Sequence, residues 1–134
     1  MDQFFLPMIP PSITHQAKDL HAYMKDGKPR AVLHNSEELN AARVKLRAHL
    51  APHRPAAPET GAVRLTVKWL FPCGDVHADG EYKITKPDTD NLQKMLKDVL
   101  QELKFYKDDA QVCSEIVEKF WAATPGIWIR LEGL

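Results

Sequence analysis

The chain has 134 residues, 44% of them apolar and 27% charged, and its 18 basic residues balance its 18 acidic ones to a formal net charge of zero. That describes one globular domain, residues 1–134, burying roughly 68% of the surface its unfolded form exposes. It excludes a polyanion binder held by net charge, while leaving room for a local basic face.

In chain order, "FFLPMIPPS" (4–12) starts as a short strand that Pro7, Pro10 and Pro11 confine to a sheet edge. "HAYMKDGKPRAVLH" (21–34) is expected to form two strands around the turn Asp26-Gly27, with Lys25, Lys28 and Arg30 clustered there. "NSEELNAARVKLRAHL" (35–50) predicts a helix. Asn35 and Glu38 fit a capping box, and Leu39, Ala42, Leu46 and Leu50 share a face. A Pro-rich linker (51–61) leads to "AVRLTVKWLF", a strand with Val63, Leu65, Val67 and Trp69 on one side. A loop (72–82) follows. Next, Leu92, Met95, Leu96, Val99, Leu100 and Leu103 form one apolar stripe of a second helix. After a turn (104–111), "VCSEIVEKFW" and "IWIRLEGL" are expected to be two strands of a hairpin joined at Thr124-Pro125-Gly126. The predicted class is α+β: a single mixed sheet with two main helices on one face.

Nothing in the sequence directs the chain to a membrane or out of the cell. No apolar run approaches the ~18 residues of a span, and no charged leader with a cleavage site opens it. The expected location is the cytoplasm, with Cys73 and Cys113 as reduced thiols.

The chemistry concentrates in "KPDTDN" (86–91), where two aspartates stand one residue apart at a helix mouth. One carboxylate at an N-cap satisfies free N–H groups and the helix dipole; a second is not needed for that. Lys94 and Asp98 follow Asp90 at four-residue steps, which also suits ordinary surface ion pairing. Asp108-Asp109 is a third acidic source. If the strand after it lies beside the one ending at Phe71, its start can face the helix mouth, and three carboxylates would converge. Such a cluster needs a counter-cation, and hard oxygen ligands without His or Cys suit Mg²⁺ or Mn²⁺. An EF-hand fails, since Gln93 and Val99 stand where its glycine and glutamate belong. The six histidines show no metal-ligand spacing, and neither a P-loop nor GxSxG occurs.

"KPDTDNLQKMLKDVLQELKFYKDDAQV" resembles the signature of RusA-type Holliday junction resolvases, and "LPMIPPS" resembles that family's N-terminal strand. The resemblance implies a homodimeric, Mg²⁺-dependent endodeoxyribonuclease acting on branched DNA in recombination and repair. It also implies a family common in phages and prophages. By position it assigns Asp88, Asp90 and Asp109 to the metal and Lys94 to catalysis, with Asn91, Asp98, Asp108 and Gln111 in support. Phosphate contacts are expected from Lys25, Lys28, Arg30, Lys86, Lys97 and Lys107, and also from Lys83 and Lys104. The alternatives are a non-catalytic junction-binding module, a nuclease acting on flaps or other branched DNA, and a small-molecule phosphohydrolase.

Overall fold

A computed structural model of the chain describes residues 2–12, 20–25, 28–33 and 36–134, with backbone pairing alone for 20–25 and 28–33. The elements are β1 (Asp2–Leu6), β2 (Leu20–Lys25), β3 (Lys28–Leu33), α1 (Ser36–Leu50), β4 (Val63–Pro72), α2 (Thr89–Glu102), β5 (Val112–Ala122) and β6 (Gly126–Gly133). β2 and β3 pair antiparallel as a separate two-stranded sheet, and the other four strands form a mixed sheet in the order β1-β6-β4-β5. The class is α+β. Asn35 and the turn 26–27 lie outside the described residues, as do the side chains of Lys25, Lys28 and Arg30.

β4 is the spine of the sheet. Its alternation buries Val63, Leu65, Val67, Trp69 and Phe71 on the face that the helices cover. β5 lies parallel to β4 on one side, and β6 lies antiparallel to it on the other. Parallel neighbours need a crossover, and α2 supplies it. Leu92, Met95, Leu96, Val99 and Leu100 of α2 are fully buried against the sheet, each worth roughly 1.5–3 kcal/mol of burial. α1 buries Leu39, Leu46 and Leu50 in the same core. Its polar side reaches α2, where Arg43 bonds Glu102 and lies 3.8 Å from Asp98, and Arg47 lies 2.9 Å from Glu102.

Two expectations change. β5 and β6 are not hairpin partners, because β4 lies between them. The crossover returns β5 in the direction of β4, so the chain must pass the end of β4 before β6 runs back on its far side. The stretch 104–111 is also more than a turn. Lys104 takes a left-handed φ of 63°, and Phe105 N–H returns to Leu100 O, closing α2 with a Schellman-type bond. This turn drives Phe105 and Tyr106 fully into the core. β1 holds the sheet edge as expected and crowds Gly126, where any Cβ would land on the Phe5 ring. No described helix is long and apolar enough to cross a membrane.

A candidate active-site cleft between α2 and β5

An open cleft of about 420 Å³ runs along the seam between α2 and β5. Thr89, Asp90, Gln93, Lys94, Lys97 and Asp98 line it from the helix; Asp109, Glu115 and Val117 line the other wall. The helical positions recur every three or four residues, so the stripe beside the apolar face supplies one whole wall.

At one end, Asp88 holds the N-cap position of α2 with extended backbone (φ −74°, ψ 149°), yet its side chain caps nothing. Its only ion pair among the described residues is a long one, 3.8 Å, to the exposed Lys86. Asp90 is exposed in the first turn, and Lys94 stands exposed one turn further along the cleft. The carboxylate oxygens at this helix mouth are therefore not consumed by the fold. They are hard anionic donors of the kind that hold Mg²⁺, an ion that commonly takes one or two carboxylates and completes its shell with water and phosphate. The residues fit such an ion as a partial set: no group of three His, Cys, Asp or Glu that could hold a metal is found among the described residues.

The other end is built differently. Asp108 Oδ1 accepts from Ala110 N–H at 2.9 Å, and Gln111 Oε1 accepts from Asp108 N–H at 2.9 Å, a reciprocal cap on the short 3-10 turn Asp109–Gln111. Gln111 Nε2 donates to Glu59 O and Gly61 O, tying the turn to the segment before β4. Gln101 Oε1 accepts from Asp109 N–H at 2.7 Å. Asp108 is thus consumed as a cap, while Asp109 turns to the cleft.

β5 does lie beside β4, but the pairing is parallel, with Val112 near Val63 and Ala122 beside Pro72. The start of β5 therefore lies at the far end of α2 from the helix mouth. Asp109 sits at Gln101, eleven residues beyond Asp90, or about 16 Å along the helix axis. At this end of the cleft Asp109 lines the wall together with Asp98 and Glu115. These three charges, after burial, drive the Tyr106 phenol well above its ordinary value of 10.0, while its O–H donates to Lys97 O at 2.8 Å.

Of the supporting residues, Asn91 is half-buried and engaged in the first turn, and Asp98 reaches Arg43 of α1. Among the lysines expected to meet phosphate, Lys86 and Lys107 are exposed, while Lys97 pairs with Glu115 at 3.2 Å. Lys83 is a correction. It is 8% exposed, with its ammonium 4.1 Å from the Trp121 ring centre and 5.2 Å from that of Phe71. Burial first, then the Lys119 charge, lowers its pKa.

Two cleft residues escaped the sequence reasoning. Gln93 is 3% exposed; its Oε1 accepts from Trp69 Nε1–H and its Nε2 donates to Glu115 Oε2, both at 2.7 Å. It occupies the same helix face as Leu100, seven residues on, so a polar residue on an apolar stripe was the available signal. Glu115 was visible only through the period-2 alternation of β5, which turns 115 and 117 toward the helix.

Fold and cleft together define an α+β domain with a β-α-β crossover whose helix–strand seam carries uncommitted carboxylates. The chain belongs to the RusA family: the model described as "Endodeoxyribonuclease RusA" matches residues 12–132. It is similar to the "Uncharacterized protein YqaN" of Bacillus subtilis (strain 168), 34% identical over 90 residues, covering 59% of this chain and 63% of that protein. It is also similar to the "Crossover junction endodeoxyribonuclease rusA" of Lactococcus phage r1t, 29% identical over 69 residues, covering 50% of this chain and 53% of that one. The chain thus spans under two thirds of the length of either relative.

Proposed function

We propose that this protein is a divalent-metal-dependent endodeoxyribonuclease that cuts four-way DNA junctions as a homodimer, in recombination and repair. The observation that carries the reading is the helix mouth of α2, where Asp88 and Asp90 offer carboxylates the fold does not use and Lys94 stands one turn on in the same cleft. Asp88 and Asp90 would hold Mg²⁺, with Mn²⁺ as a substitute. When bound, the ion supplies Lewis-acid polarisation of the phosphoryl group and an acidified water. Lys94 stabilises charge on the phosphate in the transition state. Lys86, Lys97 and Lys107 neutralise phosphates of the arms, which positions the DNA without reading its bases. Asp109 lies too far from Asp90 to join it within one chain, and a two-fold partner is the economical way to supply the missing carboxylate. Two such sites also match the two strands of a symmetric junction.

The test is nicking of a synthetic four-way junction with Mg²⁺. Asp90→Asn should lower cleavage by about 10²–10³-fold, the scale for removing one group aimed at developing charge, with the thermal midpoint unchanged. Full activity in that variant ends the proposal. A non-catalytic junction-binding module would shift the junction on a gel, with or without metal, and release no product. Comparing junction, flap, duplex and single-stranded DNA separates a resolvase from a broader nuclease.

A further inference from the structure

The helix mouth raises a question of mechanics. Two aspartates one residue apart repel each other, and the side chain at the cap position does not tether the turn. Something else must hold the backbone in place. Lys119, on β5, reaches across the seam, and its ammonium donates to Thr85 O at 2.7 Å and Pro87 O at 2.8 Å. The second of these carbonyls belongs to the residue directly before Asp88. Lys119 O accepts from Lys83 N–H at 3.0 Å, and Lys83 Nζ donates to Thr85 Oγ1 at 2.6 Å, so Thr85 is held through its carbonyl by one lysine and through its hydroxyl by the other. Among the described residues Lys119 bonds backbone carbonyls rather than a carboxylate, so its charge is not spent on an ion pair.

We propose that Lys119 is a positioning residue: its ammonium clamps the Thr85–Pro87 backbone and thereby presents Asp88 and Asp90 at the mouth of the cleft. Charge-assisted bonds to two carbonyls fix orientation at both, which one neutral bond does not. The second of the two carbonyls it holds is that of Pro87, so the clamp acts on the backbone that leads directly into Asp88. The clamp thus supplies the preorganisation that a metal site on a loop otherwise lacks. This inference rests on the metal-nuclease reading for its purpose, though not for its geometry.

The sign of the effect on metal binding separates the two things a lysine does here. If Lys119 acted only as a nearby positive charge, its removal would tighten binding of a divalent cation. If it positions the carboxylates, its removal loosens binding. The experiment titrates Mn²⁺, read by electron paramagnetic resonance, into the full chain and into Lys119→Met, Lys119→Gln and Lys119→Arg. Amide hydrogen exchange over 85–91 is measured on the same samples. Lys119→Met should weaken Mn²⁺ binding about tenfold and speed exchange at 88–90; Lys119→Arg, which keeps a charged two-pronged donor, should stay within about threefold of the parent. Binding in Lys119→Met equal to or tighter than in the parent, with exchange unchanged, overturns the proposal. If Lys119→Met does not fold, the Gln and Arg variants decide: equal behaviour of the two overturns it, and loss in Gln with retention in Arg supports it. A parent chain that takes up no Mn²⁺ refutes the metal reading, and the exchange arm then decides the clamp alone.

Discussion

The two ends of the α2–β5 cleft each begin as a pair of closely spaced aspartates, and the fold treats them in opposite ways. At the Asp108-Asp109 end the pair is divided. One carboxylate becomes a cap on a short turn, and its neighbour is left facing the cleft on a backbone held by Gln101 and Gln111. At the Asp88–Asp90 end the cap-position carboxylate caps nothing, and the backbone before it is held by Lys119 instead. Neutral amide bonds hold the turn where one carboxylate is itself taken up as a cap. Where the cap-position carboxylate is not taken up, an ammonium holds the backbone that leads into the pair. The difference teaches that spacing alone does not separate a structural aspartate from an available one; the partner of each carboxylate does.

The largest expected effect tests the divided pair. Asp109→Asn should cost about 10²–10³-fold in junction cleavage while leaving stability unchanged. Asp108→Ala should do the reverse, removing a cap worth about 1 kcal/mol, read as a lower denaturant midpoint, and sparing cleavage by comparison. Equal loss of activity in both would erase the distinction between the two residues. Next in size is the buried relay beneath the cleft. Gln93→Ala leaves the Trp69 N–H without its acceptor and opens space under the helix, so it should destabilise by about 2–4 kcal/mol in urea unfolding.

The smallest effect is a pH dependence at the Asp109 end. The folded chain holds the Tyr106 proton above 10.0, so the unfolded chain ionises first. Stability from this group is complete below pH 10 and is lost as pH rises beyond it, by up to about 1.4 kcal/mol per unit. Lys83 works the other way: its lowered pKa adds stability as pH climbs toward 10.5 and nothing further above it. The alkaline fall is therefore read above pH 10.5, where Tyr106→Phe should flatten it. Tyr82, exposed and bonded to Glu118, leans the same way as Tyr106, so a residual slope is expected. An unchanged slope in Tyr106→Phe would show that burial and the carboxylates at this end do not together raise the phenol's pKa.

Local pattern determined much of this protein. The six apolar positions of α2 and the alternation of β4 are periodic in the chain, and burial follows that period directly. The helix mouth carrying Asp88 and Asp90 was legible for the same reason, since Pro87 and the apolar stripe fix where the helix starts. Tertiary structure alone decided the direction in which β5 lies beside β4, because a strand's own sequence does not encode whether its neighbour runs with it or against it. That choice placed Asp109 at the far end of α2, and a second one, the strand order, set β4 between β5 and β6. Tertiary packing also gave Lys83 and Gln93 their buried partners, as contacts between residues distant in sequence form only when the chain packs.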